Sequence, residues 1–441
     1  TTRFISDFLR VNYNFAEKYL LQASIRRDGS SVFGTNNQWG YFPAIGVAWR
    51  INEEEFLKNS NLISDLKLRF SYGETGNAFG FGAYTAKQLF SSRGTYYNAG
   101  GFATAIGVTQ GSNPDLKWEV TSTKNLGLDF GLLQNKISGT LDFYEKTTTN
   151  MIFGYSVSNT IVPGGFVWGN GGKIRNRGIE LTLSATPVSN KVFRWNTSAN
   201  FAVNKNLILN MDGPEKYGVS SDSIRYTRPE GPGQTNTSLQ ILKEGYPIGQ
   251  FFAFSYAGKD ANGNSQFVKK KDGSLTTAPA IGDDYFYLAN PHPKLLLGWN
   301  NTLNYKNFDF NFFFRGVFGN KIFNATRADL SYTVNAAVIN ISNQAVNDLM
   351  TDAKNNSYSD RYIENGSYVR LDNATLGYKV PVQNNIIKSL RLYVTGNNLL
   401  VVTKYSGIDP EINQGGIALG VDYNNFYPKT RIIMFGLNFG F

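Results

Sequence analysis

The sequence predicts an all-β chain, a transmembrane antiparallel β-barrel in which about thirteen strands cross the membrane. Three observations carry that expectation. The chain ends on a period-two strand, 431–441, with Ile433, Phe435, Leu437, Phe439 and Phe441 on one face and Ile432, Met434, Gly436, Asn438 and Gly440 on the other. Aromatic residues reach 15% (33 Phe, 25 Tyr) while hydrophobic residues total only 41%, the balance that two aromatic girdles on alternating strands require. Alternating segments recur along the whole chain, and short connections take turns with long ones.

The C-terminal strand is informative because a terminal Phe behind an aromatic face is what outer-membrane assembly reads. Phe435, Leu437, Phe439 and Phe441 are therefore the expected barrel-insertion signal. The other expected strands are 4–15, 18–28, 39–50, 66–76, 118–130, 136–146, 174–187, 193–204, 294–305, 308–318, 366–379 and 389–401. Leu66, Leu68 and Phe70 oppose Lys67, Arg69 and Ser71; Leu126, Leu128 and Phe130 oppose Gly127 and Asp129. Ile179, Leu181 and Leu183 oppose Glu180, Thr182 and Ser184, and Phe308, Phe310, Phe312 and Phe314 oppose Asp309, Asn311 and Arg315. Each is a half-apolar strand. The 368–378 segment changes phase near Asn373, which reads as a bulge.

Short turns fall at 15–18, 131–136 and 305–308, and long segments rich in Gly, Asn, Ser and Tyr at about 28–39, 73–117, 147–172, 205–293, 319–365 and 403–427. That alternation matches periplasmic turns and extracellular loops. The turn near 52–64, with Glu53-Glu54-Glu55-Phe56-Leu57-Lys58, has room for a short helix. Phe251-Phe252-Ala253-Phe254 would make a fourteenth crossing and is assigned to the external segment instead. First and last strands both run toward the periplasm, so the count is odd. Single-chain bacterial barrels have even counts, and the expectation is that residues 1–441 form the C-terminal part of a larger barrel.

No apolar run approaches the roughly 18 residues of a membrane helix, which says nothing against strands. With no cysteine, thiolate metal sites, disulfides and Cys nucleophiles are excluded. A net charge of +10 suits contact with anionic lipopolysaccharide or an acidic solute, and ordinary lumen and loop charge explains it as well. Nucleic acid is not an expected partner, because the basic residues are scattered and only Lys269-Lys270-Lys271 cluster.

Sites of chemistry are few. The single histidine, His292, sits between prolines and reads as structural. Asp260-Ala261-Asn262-Gly263-Asn264 looks like half a calcium loop but lacks the sixth-position glycine and the distal glutamate, so an Asn-Gly hairpin turn explains it better. Gly164 to Gly172 reads as a mobile loop in which Trp168 either stacks on a sugar or packs on protein. No catalytic set, metal site or cofactor loop is expected. Tyr96, Tyr97, Phe102, Tyr155 and Trp168 are the candidate ligand or partner aromatics of the external segments.

Several segments together carry a resemblance. They are 66–77 (Leu-Lys-Leu-Arg-Phe-Ser-Tyr-Gly-Glu-Thr-Gly-Asn), 113–119 (Asn-Pro-Asp-Leu-Lys-Trp-Glu), 174–181, 42–50, 366–371, 395–399 and 427–431, in order over nearly the whole chain. The chain resembles SusC/RagA-type TonB-dependent outer-membrane transporters. That resemblance implies a 22-stranded barrel holding an N-terminal plug, a SusD-like surface lipoprotein as partner, and TonB acting through an N-terminal region outside residues 1–441. It implies import of oligosaccharides or peptides, an outer-membrane location and no enzymatic role. The plug, the TonB box and the first nine strands have no counterpart in this sequence. The alternative is a structural or docking subunit of a larger outer-membrane complex. A passive pore or barrel enzyme is the weakest option.

Overall fold

Leu66, Leu68 and Phe70 project to one side of an extended chain and Lys67, Arg69 and Ser71 to the other, because strand side chains alternate. The same alternation, repeated, builds one large sheet. The computed structural model describes residues 1–218, 223–229, 237–338, 340–348, 357–382, 387–412, 416–423 and 427–441. Its main sheet has 13 strands paired in sequence order. They are β1 Phe4–Phe15, β2 Tyr19–Ser30, β3 Trp39–Arg50, β4 Ile63–Asn77, β5 Glu119–Leu132, β6 Ile137–Ser156 and β7 Phe166–Ser189. Then come β8 Phe193–Asn210, β9 Leu295–Tyr305, β10 Phe308–Phe318, β11 Tyr368–Val380, β12 Ser389–Thr403 and β13 Ile432–Gly440. Each anticipated crossing has its strand, and Phe251 to Phe254 lie in a small loop sheet as expected. Closure into a barrel is not seen within this chain, since β1 and β13 are the sheet's two edges.

Register carries the apolar pattern across strands. Phe70, Leu126, Phe143, Ile179 and Val203 form one row, and Leu68, Leu128, Leu141, Leu181 and Phe201 the next. A third row runs Leu66, Phe130, Gly139, Leu183 and Ala199. Rows two residues apart are separated by roughly 6.6 Å, so these three rows make an apolar stripe about 13 Å deep along the strands, continued by Leu132 and Ile137 toward the short turns. At the short-turn edge an aromatic girdle closes the band: Phe15 stacks on Tyr19 and Tyr19 on Trp49, and Phe308 packs on Tyr378. Polar tips of that girdle converge on Glu54, which accepts from Tyr19 Oη at 2.8 Å, Trp49 Nε1 at 3.0 Å and Lys18 Nζ at 3.0 Å. Those hydrogen bonds, Lys18 first, hold the Glu54 carboxyl down at about 2.

The opposite face is charged. Arg69 donates to Asp129 at 2.7 Å and Asp142 at 3.2 Å, with Lys67 on Asp129 at 2.8 Å. Further round, Arg391 grips Asp309 through two hydrogen bonds. The predicted bulge is present one residue early, at Asp372, where both neighbouring ladders shift register. The short helix expected near 52–64 is only a 3₁₀ turn, Ile51–Glu53, followed by turns. A run this short gains too few helical hydrogen bonds to continue.

Several strands are longer than a bilayer crossing needs. Crossing takes about 9–11 residues, whereas β6 has 20, β7 has 24 and β8 has 18. Their excess lies at the end carrying the long connections, and there the fully buried side chains collect. The described cores are Phe33, Phe42, Leu116 and Trp118; Ile241, Phe252, Phe267 and Tyr285; and Leu239, Phe251, Phe323, Tyr362 and Val421, with smaller satellites. Membrane-band side chains find no such core, because half of them face away from the protein.

Candidate partner and ligand surface at the loop end

The segments between strands fold on one another. Residues 205–293 contribute a four-stranded sheet, Ser223–Tyr226, Gln240–Lys243, Gln250–Phe254 and Tyr285–Tyr287, and a three-stranded sheet starting at Tyr256–Lys259. Phe323 pairs in parallel with Val421, and both join Leu239, Phe251 and Tyr362 in one core. Three long segments are thereby fused. Gln240, fully buried, accepts from Thr227 Oγ1 at 2.6 Å and donates Nε2 to the carbonyls of Gly249 and Leu419. A buried amide so satisfied rigidifies its surroundings. The short helix Ala325–Leu330 starts where the Asn324 side chain accepts from the Arg327 amide at 2.8 Å.

The 73–117 segment carries a hairpin, Leu89–Asn98 with Gly101–Gln110, paired to no other strand. Ala99 and Gly100, both at positive φ, make its tip. Tyr97 and Phe102 meet edge to face at 5.7 Å and are 69% and 82% exposed; Tyr96, Phe90 and Ile106 are exposed beside them. Its base is locked. Gln110 donates Nε2 to the carbonyls of Tyr84, Thr85 and Lys87, and Arg93 donates to those of Val108 and Gly164. The result is an apolar, aromatic tip on a fixed stem.

Two of the five candidate aromatics belong elsewhere. Tyr155 and Trp168 lie in β6 and β7, not in a mobile loop, because those strands continue pairing up to Ser156 and Phe166. Tyr155 is buried in a core with Val162, Val167 and Tyr217. Trp168 packs on the Phe33–Trp118 core and donates Nε1 to Gln110 Oε1 at 3.1 Å. Their rings support the hairpin stem. Tyr96, Tyr97 and Phe102 remain together at its tip.

A charged cluster ties the 403–427 segment to the polar face of the sheet. Arg315 of β10 donates to Glu411 at 2.7 and 2.8 Å and to Asp372 at 3.2 Å. Lys429 reaches Glu411 at 2.7 Å. Burial raises the Glu411 carboxyl, but its bonds with Arg315 and Lys429 win and bring it to about 2. In the same segment, Tyr405 donates to Asp422 at 2.5 Å, and burial pushes both groups up.

The remaining motifs are local structure. Asp260 accepts from the amides of Asn262 and Asn264 and the side chain of Asn264, while Gly263 takes a φ of 82°. Its carboxylate is engaged in its own turn. His292 holds the Ile248 carbonyl at 2.7 Å, and burial lowers its pKa. Lys270 lies over the Phe252 and Tyr287 rings. Gln110 and Gln240, which hold this end together, are single polar residues with no sequence pattern that marks them; Arg370, which reaches Asp409 in the last long segment, lies in the 366–371 motif, whose pattern does not announce that contact.

Comparison with known proteins adds a frame. Residues 1–399 match the family model described as TonB dependent receptor-like, beta-barrel. TonB-dependent receptor P3 of Formosa agariphila is 33% identical over 479 aligned residues, covering 100% of this chain and 46% of that protein. TonB-dependent receptor SusC of Bacteroides thetaiotaomicron is 32% identical over 455, covering 99% and 44%. Among solved structures, the RagAB peptide importer in a closed-closed state superposes with a TM-score of 0.84 at 28% identity, covering 99% of this chain and 47% of that one. Its open-open state gives 0.82 at 27% identity, covering 100% and 47%. The chain spans a little under half the length of the relatives it matches.

Proposed function

The chain belongs to the TonB-dependent receptor-like β-barrel family, and on that premise we propose that it forms the C-terminal thirteen strands of a 22-stranded outer-membrane barrel. The apolar rows face lipid, the Arg69–Asp129–Asp142 face lines the lumen, and the long segments are extracellular. The whole protein imports oligosaccharides or peptides with a SusD-like surface lipoprotein. TonB supplies energy through the N-terminal plug region, and no bond in the ligand is made or broken.

The observation that carries this reading is the folded body at the loop end. External segments longer than about 12–15 residues are usually functional, and here three of them share one core. The Tyr97–Phe102 tip supplies an exposed aromatic contact on that side. Rigid loops suit a seat against which a separate lid opens and closes. The near-equal similarity to closed and open importer states supports a barrel half that stays fixed while the lid moves.

The experiment is a pull-down from outer membranes with the full-length protein as bait, followed by uptake with and without the proton-motive force. One surface lipoprotein and energy-dependent uptake are expected. Several unrelated subunits, with unchanged growth of a deletion strain on every polymer tested, would replace the importer with a docking platform.

A further inference from the structure

Directly above the uppermost apolar row, register lines up Tyr72, Lys124, Glu145, Arg177 and Lys205 on the same face of five consecutive strands. The spacing follows from alternation: each residue stands two positions beyond its apolar neighbour Phe70, Leu126, Phe143, Ile179 or Val203. Every step runs toward the end with the long segments. On β7 the same face continues upward through Arg175 and Lys173. A recess of about 500 Å³ spans the junction, lined by the apolar row below and by Lys124, Glu145, Arg177 and Lys205 above.

Arg177 and Lys205 are direct cross-strand partners. Like charges opposite one another destabilise a sheet, and here they are exposed at a boundary between apolar surface and water. Among the described residues no ion pair engages Lys124, Arg177 or Lys205, although Glu145 stands in the same row. The two acidic groups on this face are Glu145 and Glu74, and Glu74 accepts from Tyr72 Oη at 2.5 Å. Cations therefore outnumber carboxylates, and adjacent strands about 4.8 Å apart put the three row cations within roughly 15 Å.

We propose that this row binds the phosphate groups of an outer-leaflet glycolipid, whose acyl chains cover the Phe70–Val203 and Leu68–Phe201 rows beneath. The inference rests on those rows facing lipid. It goes further by giving the site a headgroup chemistry: an anionic, phosphorylated sugar at the outer boundary, held by three cations over an apolar wall. A phosphate between Arg177 and Lys205 relieves their repulsion. Arg adds paired N–H donors that match phosphate oxygens. A free phosphate would leave the apolar wall unused, and an ordinary phospholipid would carry one phosphate for three cations.

The test uses the full-length protein purified in detergent after confirming outer-membrane insertion by heat-modifiable migration. Native mass spectrometry follows titration with bisphosphorylated lipid A, the same lipid after phosphatase treatment, phosphatidylglycerol and inorganic phosphate. Each cation near an anionic surface contributes roughly fivefold to binding, so the triple variant Lys124→Gln, Arg177→Gln, Lys205→Gln should bind bisphosphorylated lipid A roughly a hundredfold more weakly. A control with equal charge loss at the short-turn end, Lys58→Gln, Lys136→Gln, Lys191→Gln, should match the wild type. Dephosphorylated lipid, phosphatidylglycerol and phosphate should all bind the wild type weakly. Equal binding by the triple variant, or by the dephosphorylated lipid or phosphatidylglycerol, overturns the proposal while leaving an inserted barrel intact. A wild-type protein that does not insert overturns both readings.

Discussion

Arg370 Nη2 donates to Asp409 Oδ1 at 2.6 Å, and the two side chains are only 1% and 6% exposed. The same guanidinium donates Nη1 to Asn398 and turns its Nε toward Glu411 at 3.6 Å, too far for a hydrogen bond. One arginine on β11 thus joins β12 to the last long segment. Removing one partner of a buried pair leaves a charge without compensation, at about 3–5 kcal/mol. Arg370→Met and Asp409→Asn should each lower the apparent melting temperature of the purified full-length protein. The double variant should cost clearly less than the two single losses combined. Additive losses would mean that the residues act separately.

Glu411 makes this junction pH-dependent. Its carboxyl lies at about 2 against an ordinary 4.5, so its stabilisation is complete above about pH 4.5. It is lost as pH falls through that window, up to about 3 kcal/mol. Glu411→Gln should speed hydrogen exchange in residues 403–412 at pH 7. As pH falls from 4.5 toward 2 the gap from wild type should narrow, and it should close below about pH 2, where the wild-type carboxyl is largely protonated. A gap that stays constant with pH would assign the effect to packing.

The strand pattern was legible because alternation is local: Leu126, Leu128 and Phe130 state their face without reference to any other strand. Phase was legible too, and the expected bulge at Asn373 differs by one residue from that at Asp372. The strand ends of β6 and β7 were not, because Gly169 and Gly171 in a Gly-rich run read as loop. Pairing to Phe153 and Met151 on β6 decides otherwise, and Gly169 sits tight against Pro214. Trp168 was misplaced for that reason. The Arg370–Asp409 pair joins residues 39 apart across an irregular segment, and no local pattern encodes such a contact.

The faces themselves are testable. Leu128 belongs to the middle apolar row, while Asp129 binds Arg69 and Lys67 on the opposite face. Leu128→Arg or Leu183→Arg should cost about 2–4 kcal/mol of barrel stability at the bilayer centre. In cysteine scanning with a water-soluble reagent, position 128 should be protected and position 129 labelled. The reverse pattern would invert the assignment of every strand in register with β5.

The C-terminal strand predicts an assembly defect. Phe435, Leu437 and Phe439 on one face of β13, and Phe441 just beyond its end, are 84%, 58%, 53% and 77% exposed, and Phe439 stacks on Phe441 at 6.4 Å. On the other face Tyr393 lies over Gly436, where any Cβ would meet its ring at 2.2 Å. The aromatic face is therefore free of packing duty within the chain, and its exposure is what an insertion factor can read. Phe439→Ala with Phe441→Ala should lower surface levels of the full-length protein while leaving its synthesis unchanged. Normal surface levels would remove the signal from this strand.

On the proposed function, partner capture should depend on both tip and stem of the aromatic hairpin, and the two separate experimentally. Tyr97→Ser with Phe102→Ser removes the exposed rings without touching the base, so thermal stability should hold while lipoprotein recovery in the pull-down falls at least severalfold, as loss of aromatic anchors does. Gln110→Ala acts from below. It strips donors from the carbonyls of Tyr84, Thr85 and Lys87 and the acceptor from the Trp168 indole. Leaving such groups unpaired costs about 1–3 kcal/mol. Hydrogen exchange should then rise across 84–110 and partner recovery should fall, though every ring at the tip is intact. If the tip variant retains its lipoprotein while the stem variant loses it, the contact lies on another part of the loop body and the rings are not the anchor.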